Sequence, residues 1–251
     1  MVKSNKKKDL PDSTMSLGNH LEELRARLIL AIAGLVIGTI VCFFFGNEII
    51  TFIQRPYNDL RPEDPLIVLA PADAFIGYLK ICMIAGLIVS SPWVFYQLWM
   101  FVAAGLYTKE KRFVRLAVPF SVALFVTGAL FFLYVVAPIS IAFFLKFGEF
   151  INVEDDWTFQ KYVSFVTMLM LVFGIGFQTP IAIFILNRTG LVSIRGLRRS
   201  RKYVLLGIFV VAAMATPPDV ISQVTLALPL YLLFELGILL SYFVDRRKRS
   251  R

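Results

Sequence analysis

Leu116-Ala-Val-Pro-Phe-Ser-Val-Ala-Leu-Phe-Val-Thr-Gly-Ala-Leu-Phe-Phe-Leu-Tyr-Val-Val-Ala137 contains no charged residue. A helix of this length rises about 33 Å at 1.5 Å per residue, enough to cross a hydrocarbon core of about 30 Å. Leu28 to Gly46 is a second uncharged run of similar length. Neither run alternates apolar and polar residues, so the spanning elements read as helices and not as barrel strands. The whole chain agrees: 58% of its 251 residues are hydrophobic, only 17% are charged, and the mean hydropathy is +0.73. Soluble domains are only about half apolar.

Reading outward from these runs against breaker residues gives six spans, at about 28–46, 73–100, 116–137, 161–186, 203–216 and 220–243. Long connections are expected at 47–72 and 138–160, basic ones at 101–115 and 187–202, and a tight turn at Pro217-Pro218-Asp219. Lys and Arg number 6 before the first span, 4 in 101–115, 6 in 187–202 and 5 after residue 244, which is 21 of the 26 in the chain. The other connections carry acids such as Glu63, Asp64, Glu154, Asp155 and Asp156. The positive-inside rule therefore places both ends in the cytoplasm, and two cytoplasmic ends require an even number of crossings. The expected architecture is an all-α membrane domain of six helices, with a basic cytoplasmic tail at 1–15, the bundle at 16–243 and a second basic tail at 244–251. The first run is expected to be retained as a helix, since no small-residue cleavage site follows it.

The fifth span is short. Tyr203 to Thr216 makes a helix of about 21 Å, less than the hydrocarbon thickness, and Pro217-Pro218 stops it abruptly. The bilayer must thin beside it or neighbouring helices must shield the mismatch.

The net charge of +9 is explained by topology, so nucleic acid is not an expected partner. Cys42 and Cys82 lie inside spans and read as packing residues, and His20 is the only histidine, which leaves no His-based triad or metal site. No phosphate or dinucleotide fingerprint is present, and no internal repeat is evident. Neither an enzyme nor a cofactor is expected. Glu235 is the one acid deep in an apolar run, expected either protonated or near the cytoplasmic interface, and the stem of Lys80 in span two is expected to snorkel. A small-solute or ion transporter is the alternative reading, and the scarcity of intramembrane charge weighs against it.

Ser16-Leu-Gly-Asn-His-Leu-Glu-Glu-Leu-Arg-Ala-Arg-Leu28 reads as an amphipathic cytoplasmic helix entering span one, with Leu17, Leu21, Leu24 and Leu28 on one stripe. Glu23 and Arg27 have i,i+4 spacing, worth a few tenths of a kcal/mol as a simple helix pair. Glu110 is the single acid among Lys109, Lys111, Arg112 and Arg115 in the first basic loop. Both acids are expected on the same membrane face. Two carboxylates there suit two guanidinium groups, because each accepts paired parallel hydrogen bonds that lysine does not supply. As a mere scaffold, the chain would tolerate Gln at both positions. In Phe173-Gly-Ile-Gly-Phe-Gln-Thr-Pro180, Gln178 precedes a proline that leaves the Gly176 carbonyl without its helical donor. An intramembrane amide needs a partner, either within the bundle or on another subunit, worth roughly 0.5 to 2 kcal/mol.

From His20 to Phe243 the chain resembles the TatC family of twin-arginine protein export. The resemblance is carried by His20-Leu-Glu-Glu-Leu-Arg-Ala-Arg-Leu28, by Ser91-Pro-Trp-Val-Phe-Tyr-Gln-Leu-Trp99 with Phe101 and Gly105-Leu-Tyr-Thr-Lys-Glu110, by Phe173 to Pro180, and by Thr216-Pro-Pro-Asp-Val220. It implies a concave, glove-like six-helix bundle of the bacterial inner membrane. It also implies that Glu23 and Glu110 recognise the paired arginines of signal peptides on folded cargo, with Leu24, Arg25 and Phe101 around that site. Arg55-Pro56 and Asp219 resemble sensitive periplasmic positions, and Gln178 a groove-facing position linked to partner helices. The implied partners are TatA-type and TatB-type single-pass subunits, membrane lipid and further copies of the chain, with the proton-motive force as energy source. Two departures stand out: the family often has Glu at Gln178 and Pro at Ala104. The first removes a titratable group and keeps the capacity to hydrogen-bond.

Overall fold

The structure, a computed structural model, describes residues 17–104, 111–152, 157–215 and 220–249. These form α1 (Leu17–Phe44), α2 (Gly46–Asn58), α3 (Pro71–Ala104), α4 (Lys111–Phe131), α5 (Ala137–Phe150), α6 (Phe159–Gly176), α7 (Thr179–Arg188), α8 (Ile194–Arg199), α9 (Arg201–Ala215) and α10 (Val220–Arg249). Among the described residues, five helical runs are long and apolar enough to cross a bilayer: Leu21–Phe44, Pro71–Ala103, Leu116–Phe150, Phe159–Arg188 and Gln223–Phe243. The sixth crossing is α9, whose 15 residues reach only about 22 Å. The short fifth span is thus present, while the Pro217-Pro218-Asp219 turn lies outside the described residues.

Two expected connections are in large part helical. The helix expected to end at residue 137 continues through Pro138 to Phe150. A π-helical turn, Phe132–Val136, explains why the proline does not stop it: the Ala137 amide reaches back five residues to the Phe132 carbonyl, widening the turn where the ring would otherwise clash. In the 47–72 connection, α2 buries Ile53, Pro56 and Tyr57 and turns polar residues outward. Inside α3, Pro92 removes the amide that would have served the Ile88 carbonyl, and the Ser91 hydroxyl donates to that carbonyl at 2.7 Å instead.

The core is built around α6. Phe159, Tyr162, Val163, Val166, Leu169, Met170 and Phe173 recur at helical spacing, and all are buried. They pack against Ile53, Tyr57, Ile81, Phe132, Val136 and Ile141. At the periplasmic end the two long connections are tied together. Ile67 donates its amide to the Trp157 carbonyl at 3.1 Å and accepts from the Phe159 amide at 2.8 Å. Below this tie the Tyr162 hydroxyl donates to the Ile53 carbonyl at 2.7 Å, and Tyr57 packs on Trp157 and Tyr162.

Helix α1 packs antiparallel along α3 and leaves Leu28, Ile29, Ile32, Val36, Ile37 and Ile40 exposed, as expected of a lipid-facing surface. Small residues set the closeness of this pair: a Cβ on Gly86 would lie 2.6 Å from the Thr39 backbone, and one on Gly38 would lie 2.7 Å from the Gly86 carbonyl oxygen. Trp93 Nε1 donates to the Leu30 carbonyl at 2.8 Å, and the Tyr78 hydroxyl to the Phe43 carbonyl at 2.7 Å. Between α3, α5, α6 and the end of α9 the bundle opens into a groove of about 1320 Å³.

Candidate functional site

The α1 and α3 contacts define a register, since Leu30 pairs with Trp93, Gly38 with Gly86 and Arg27 with Gln97. Continued one turn toward the cytoplasm, the same register brings Glu23 level with Phe101 in the last turn of α3. Two residues assigned to one site by motif resemblance therefore sit at the same height on neighbouring helices.

Glu23 is held from beneath. Arg27 Nη2 stands 3.5 Å from Glu23 Oε1, and Arg27 Nη1 donates to Gln97 Oε1 at 3.1 Å. Gln97 is only 2% exposed, so its amide is a fixed acceptor planted in α3. The expected Glu23 and Arg27 pair is thus present, as part of a three-residue chain linking two helices. The ion pair is long and uses one carboxylate oxygen. A carboxylate offers about four lone-pair positions, so Glu23 keeps accepting capacity for another guanidinium. Leu24 and Arg25 are exposed beside it, and Phe101 is half-buried. Glu110, the second expected carboxylate, lies outside the described residues, as does Asp219. Arg55 places its guanidinium over the Phe52 ring at 5.5 Å, and Pro56 is buried in the inner face of α2, a packing position.

Gln178 lies where the fourth span breaks: α6 ends at Gly176 and α7 starts at Thr179. Its Nε2 donates to the Ser121 carbonyl on α4 at 2.9 Å, and the Ser121 hydroxyl accepts from Trp99 Nε1 on α3 at 2.8 Å. Of the two partners open to this amide, the donor side has found the one within the bundle. Its Oε1 is buried without a hydrogen bond among the described residues.

Glu235 has a partner that sequence reading did not identify. Arg201, at the start of α9, approaches Glu235 Oε2 at 2.7 Å, and the Tyr231 hydroxyl donates to Oε1 at 2.9 Å. Arg201 stood in the count of cytoplasmic bases, and only the fold brings it to α10. Lys80 points into the groove and donates to Ser164 Oγ on α6 at 2.7 Å. Among the described residues no group of three or more His, Cys, Asp or Glu is placed to hold a metal ion.

Comparison with known proteins finds relatives along nearly the whole chain. The family model described as Sec-independent protein translocase protein (TatC) matches residues 19–229. The Sec-independent protein translocase protein TatC of Carboxydothermus hydrogenoformans is 35% identical over 242 residues, covering 96% of this chain and 98% of its own. The TatC of Aquifex aeolicus is 36% identical over 238 residues, covering 94% and 98%. A crystal structure of the twin-arginine translocase receptor TatC superimposes with a TM-score of 0.82 at 35% identity, over 90% of this chain and 99% of that one. The long helical spans, the short fifth crossing and the carboxylate poised at the end of α1 thus have a common explanation: the chain belongs to the TatC family of Sec-independent protein translocase proteins.

Proposed function

We propose that this chain, as the receptor and core subunit of a twin-arginine translocase in the bacterial cytoplasmic membrane, binds the paired arginines of signal peptides on folded cargo through Glu23 and Glu110. The apolar part of the signal lies along the membrane face of the bundle. TatA-type and TatB-type single-pass subunits assemble around the receptor, in several copies per complex; Gln178 belongs to the groove that partner helices meet, and Pro56 and Asp219 are sensitive periplasmic positions. The proton-motive force supplies the energy.

The observation that carries this reading is the state of Glu23, a carboxylate at the cytoplasmic end of α1 that is anchored through Arg27 to buried Gln97 yet saturated by neither. A carboxylate held in this way receives a guanidinium without having to be ordered first, and ordering a free side chain is one of the costs of association. The transporter alternative loses support, because the intramembrane charges Lys80 and Glu235 both have partners inside the bundle and do not converge on a midplane substrate site.

Photocrosslinking of a twin-arginine signal peptide to the protein in native membranes tests the proposal. Labelling is expected with the Arg-Arg peptide, to drop strongly with Lys-Lys, and to fall with either Glu23→Gln or Glu110→Gln. Equal labelling of all combinations removes the two-carboxylate site and leaves the family assignment standing.

A further inference from the structure

The groove between α3, α5 and α6 is mostly apolar, but among the described residues its periplasmic part carries charge of one sign. Lys80 and Lys161 both line it, and among the described residues none of its lining residues is Asp or Glu. At about 1320 Å³ it exceeds the roughly 300–1,000 Å³ of an ordinary small-molecule site.

Depth decides what such a charge meets. Helix α3 has 34 residues and is about 51 Å long, so centred on a 30 Å core it leaves about 10 Å outside at each end. Lys80 lies nine residues from Pro71, about 13 Å along the axis, and so just inside the outer edge of the hydrocarbon. Ser164 is at the same level, 2.7 Å from the Lys80 ammonium. Lys161 stands one turn further out, at the start of α6. The two lysines therefore lie about one turn apart at the outer-leaflet boundary, within reach of lipid phosphates. Each ammonium has three donors, and Lys80 spends one on Ser164. Neither lysine forms an ion pair among the described residues. A cation at this depth is costly unless compensated. Below the lysines, Phe165 and Leu171 continue the groove toward the membrane centre as an apolar track, and Trp157 marks its mouth.

We infer that this groove holds one phospholipid with a net anionic headgroup, its phosphate between Lys80 and Lys161 and an acyl chain along Phe165 and Leu171. Charge complementarity selects the headgroup: a zwitterionic lipid presents its own ammonium to the second lysine, whereas an anionic lipid does not. The site lies in the outer leaflet, on the opposite side of the membrane from Glu23. It is independent of the arginine-recognition proposal.

Trp157 reports on the site. The full-length protein is reconstituted in phosphatidylcholine vesicles containing acyl-brominated phosphatidylglycerol or, separately, acyl-brominated phosphatidylcholine. The Trp157 signal is taken as the difference from Trp157→Phe. Brominated phosphatidylglycerol is expected to quench at a mole fraction roughly tenfold lower than brominated phosphatidylcholine, from two lysines acting near the surface. The preference is expected to vanish in Lys80→Gln/Lys161→Gln and to persist in Lys80→Arg/Lys161→Arg. Each comparison is a ratio between two lipids on one folded variant, so a general loss of stability does not imitate it. Equal quenching by both lipids in the wild type, or a preference that survives the double Gln variant, overturns the proposal. So does failure of both lipids to reach Trp157, which is the result if a second copy of the chain covers the groove. Displacement of the brominated lipid by inorganic phosphate also overturns it, because it would identify the site as one for a free anion.

Discussion

Arg27 and Gln97 join α1 to α3 through a hydrogen bond of 3.1 Å, and through it a buried amide determines where the Glu23 carboxylate stands. Gln97 touches no surface that a peptide reaches, since it is only 2% exposed. Its replacement by Leu therefore acts on recognition at second hand. Arg27, freed from α3, closes fully on Glu23 and competes with the incoming arginine. The net worth of a hydrogen bond to a charged group, about 1.5 kcal/mol, sets the scale. Signal-peptide affinity is expected to fall roughly tenfold in Gln97→Leu, read by crosslinking titration. A charge-free partner at position 27, in Gln97→Leu/Arg27→Gln, is expected to recover part of the loss. A variant whose affinity is unchanged would show that Gln97 serves packing alone.

The α1 and α3 seam makes a separate prediction about stability. A side chain on Gly86 drives into the backbone of Thr39, which cannot swing aside as a flexible side chain would. Gly86→Val is therefore expected to destabilise the protein by about 1–3 kcal/mol, the usual range for overpacking. Gly207 has open space around its Cβ position, and Gly207→Ala in α9 is expected to be neutral or stabilising by up to about 1 kcal/mol. Thermal melting in detergent compares the two. Equal effects would mean that helix propensity and not helix approach governs both.

What was legible in the sequence followed from periodicity and charge. The crossings emerge from uncharged length, the orientation from the distribution of Lys and Arg, and the short fifth helix from the span between Tyr203 and Thr216. The helical nature of 138–150 was obscured because Pro138 reads as a terminator, and nothing in the local sequence announces the π-turn that absorbs it. Polar pairing was visible only where partners are neighbours in the chain. Glu23 and Arg27 are four residues apart and were paired correctly. Glu235 and Arg201 are 34 apart, Lys80 and Ser164 are 84 apart, and Gln178 and Ser121 are 57 apart. Those contacts depend on which helices the fold brings together, and on that the sequence is silent.

The Arg201 and Glu235 pair is expected to lock the cytoplasmic end of α9 against the middle of α10. Arg201→Ala leaves Glu235 with Tyr231 as its remaining partner, while Arg201→Ala/Glu235→Gln removes the unpaired charge together with the pair. The double variant is therefore expected to be more stable than Arg201→Ala alone. A coupling of about 0.5–2 kcal/mol in a double-mutant cycle is the range for residues in one network. Strict additivity would mean that Glu235 is solvated without Arg201. Because α9 is only about 22 Å long, loosening this end is also expected to raise protease sensitivity near residue 201.

Gln178 bears on what the family position does in this chain. Its amide reaches the Ser121 carbonyl, and Trp99 reaches the Ser121 hydroxyl, so α3, α4 and the α6–α7 break are fastened at one serine. Gln178→Leu removes a donor and leaves that carbonyl to whatever else approaches it, which is expected to cost about 0.5–2 kcal/mol. Trp99→Phe removes the other arm, and because both act through Ser121 the two losses are expected to be less than additive. The buried Oε1 of Gln178 has no donor among the described residues, which gives this residue a second readout. If a partner helix supplies that donor, Gln178→Leu weakens co-purification of single-pass subunits more than Trp99→Phe does at equal loss of melting temperature. If the two variants weaken it equally, Gln178 acts only as an internal fastener, and its contact with partner helices is excluded.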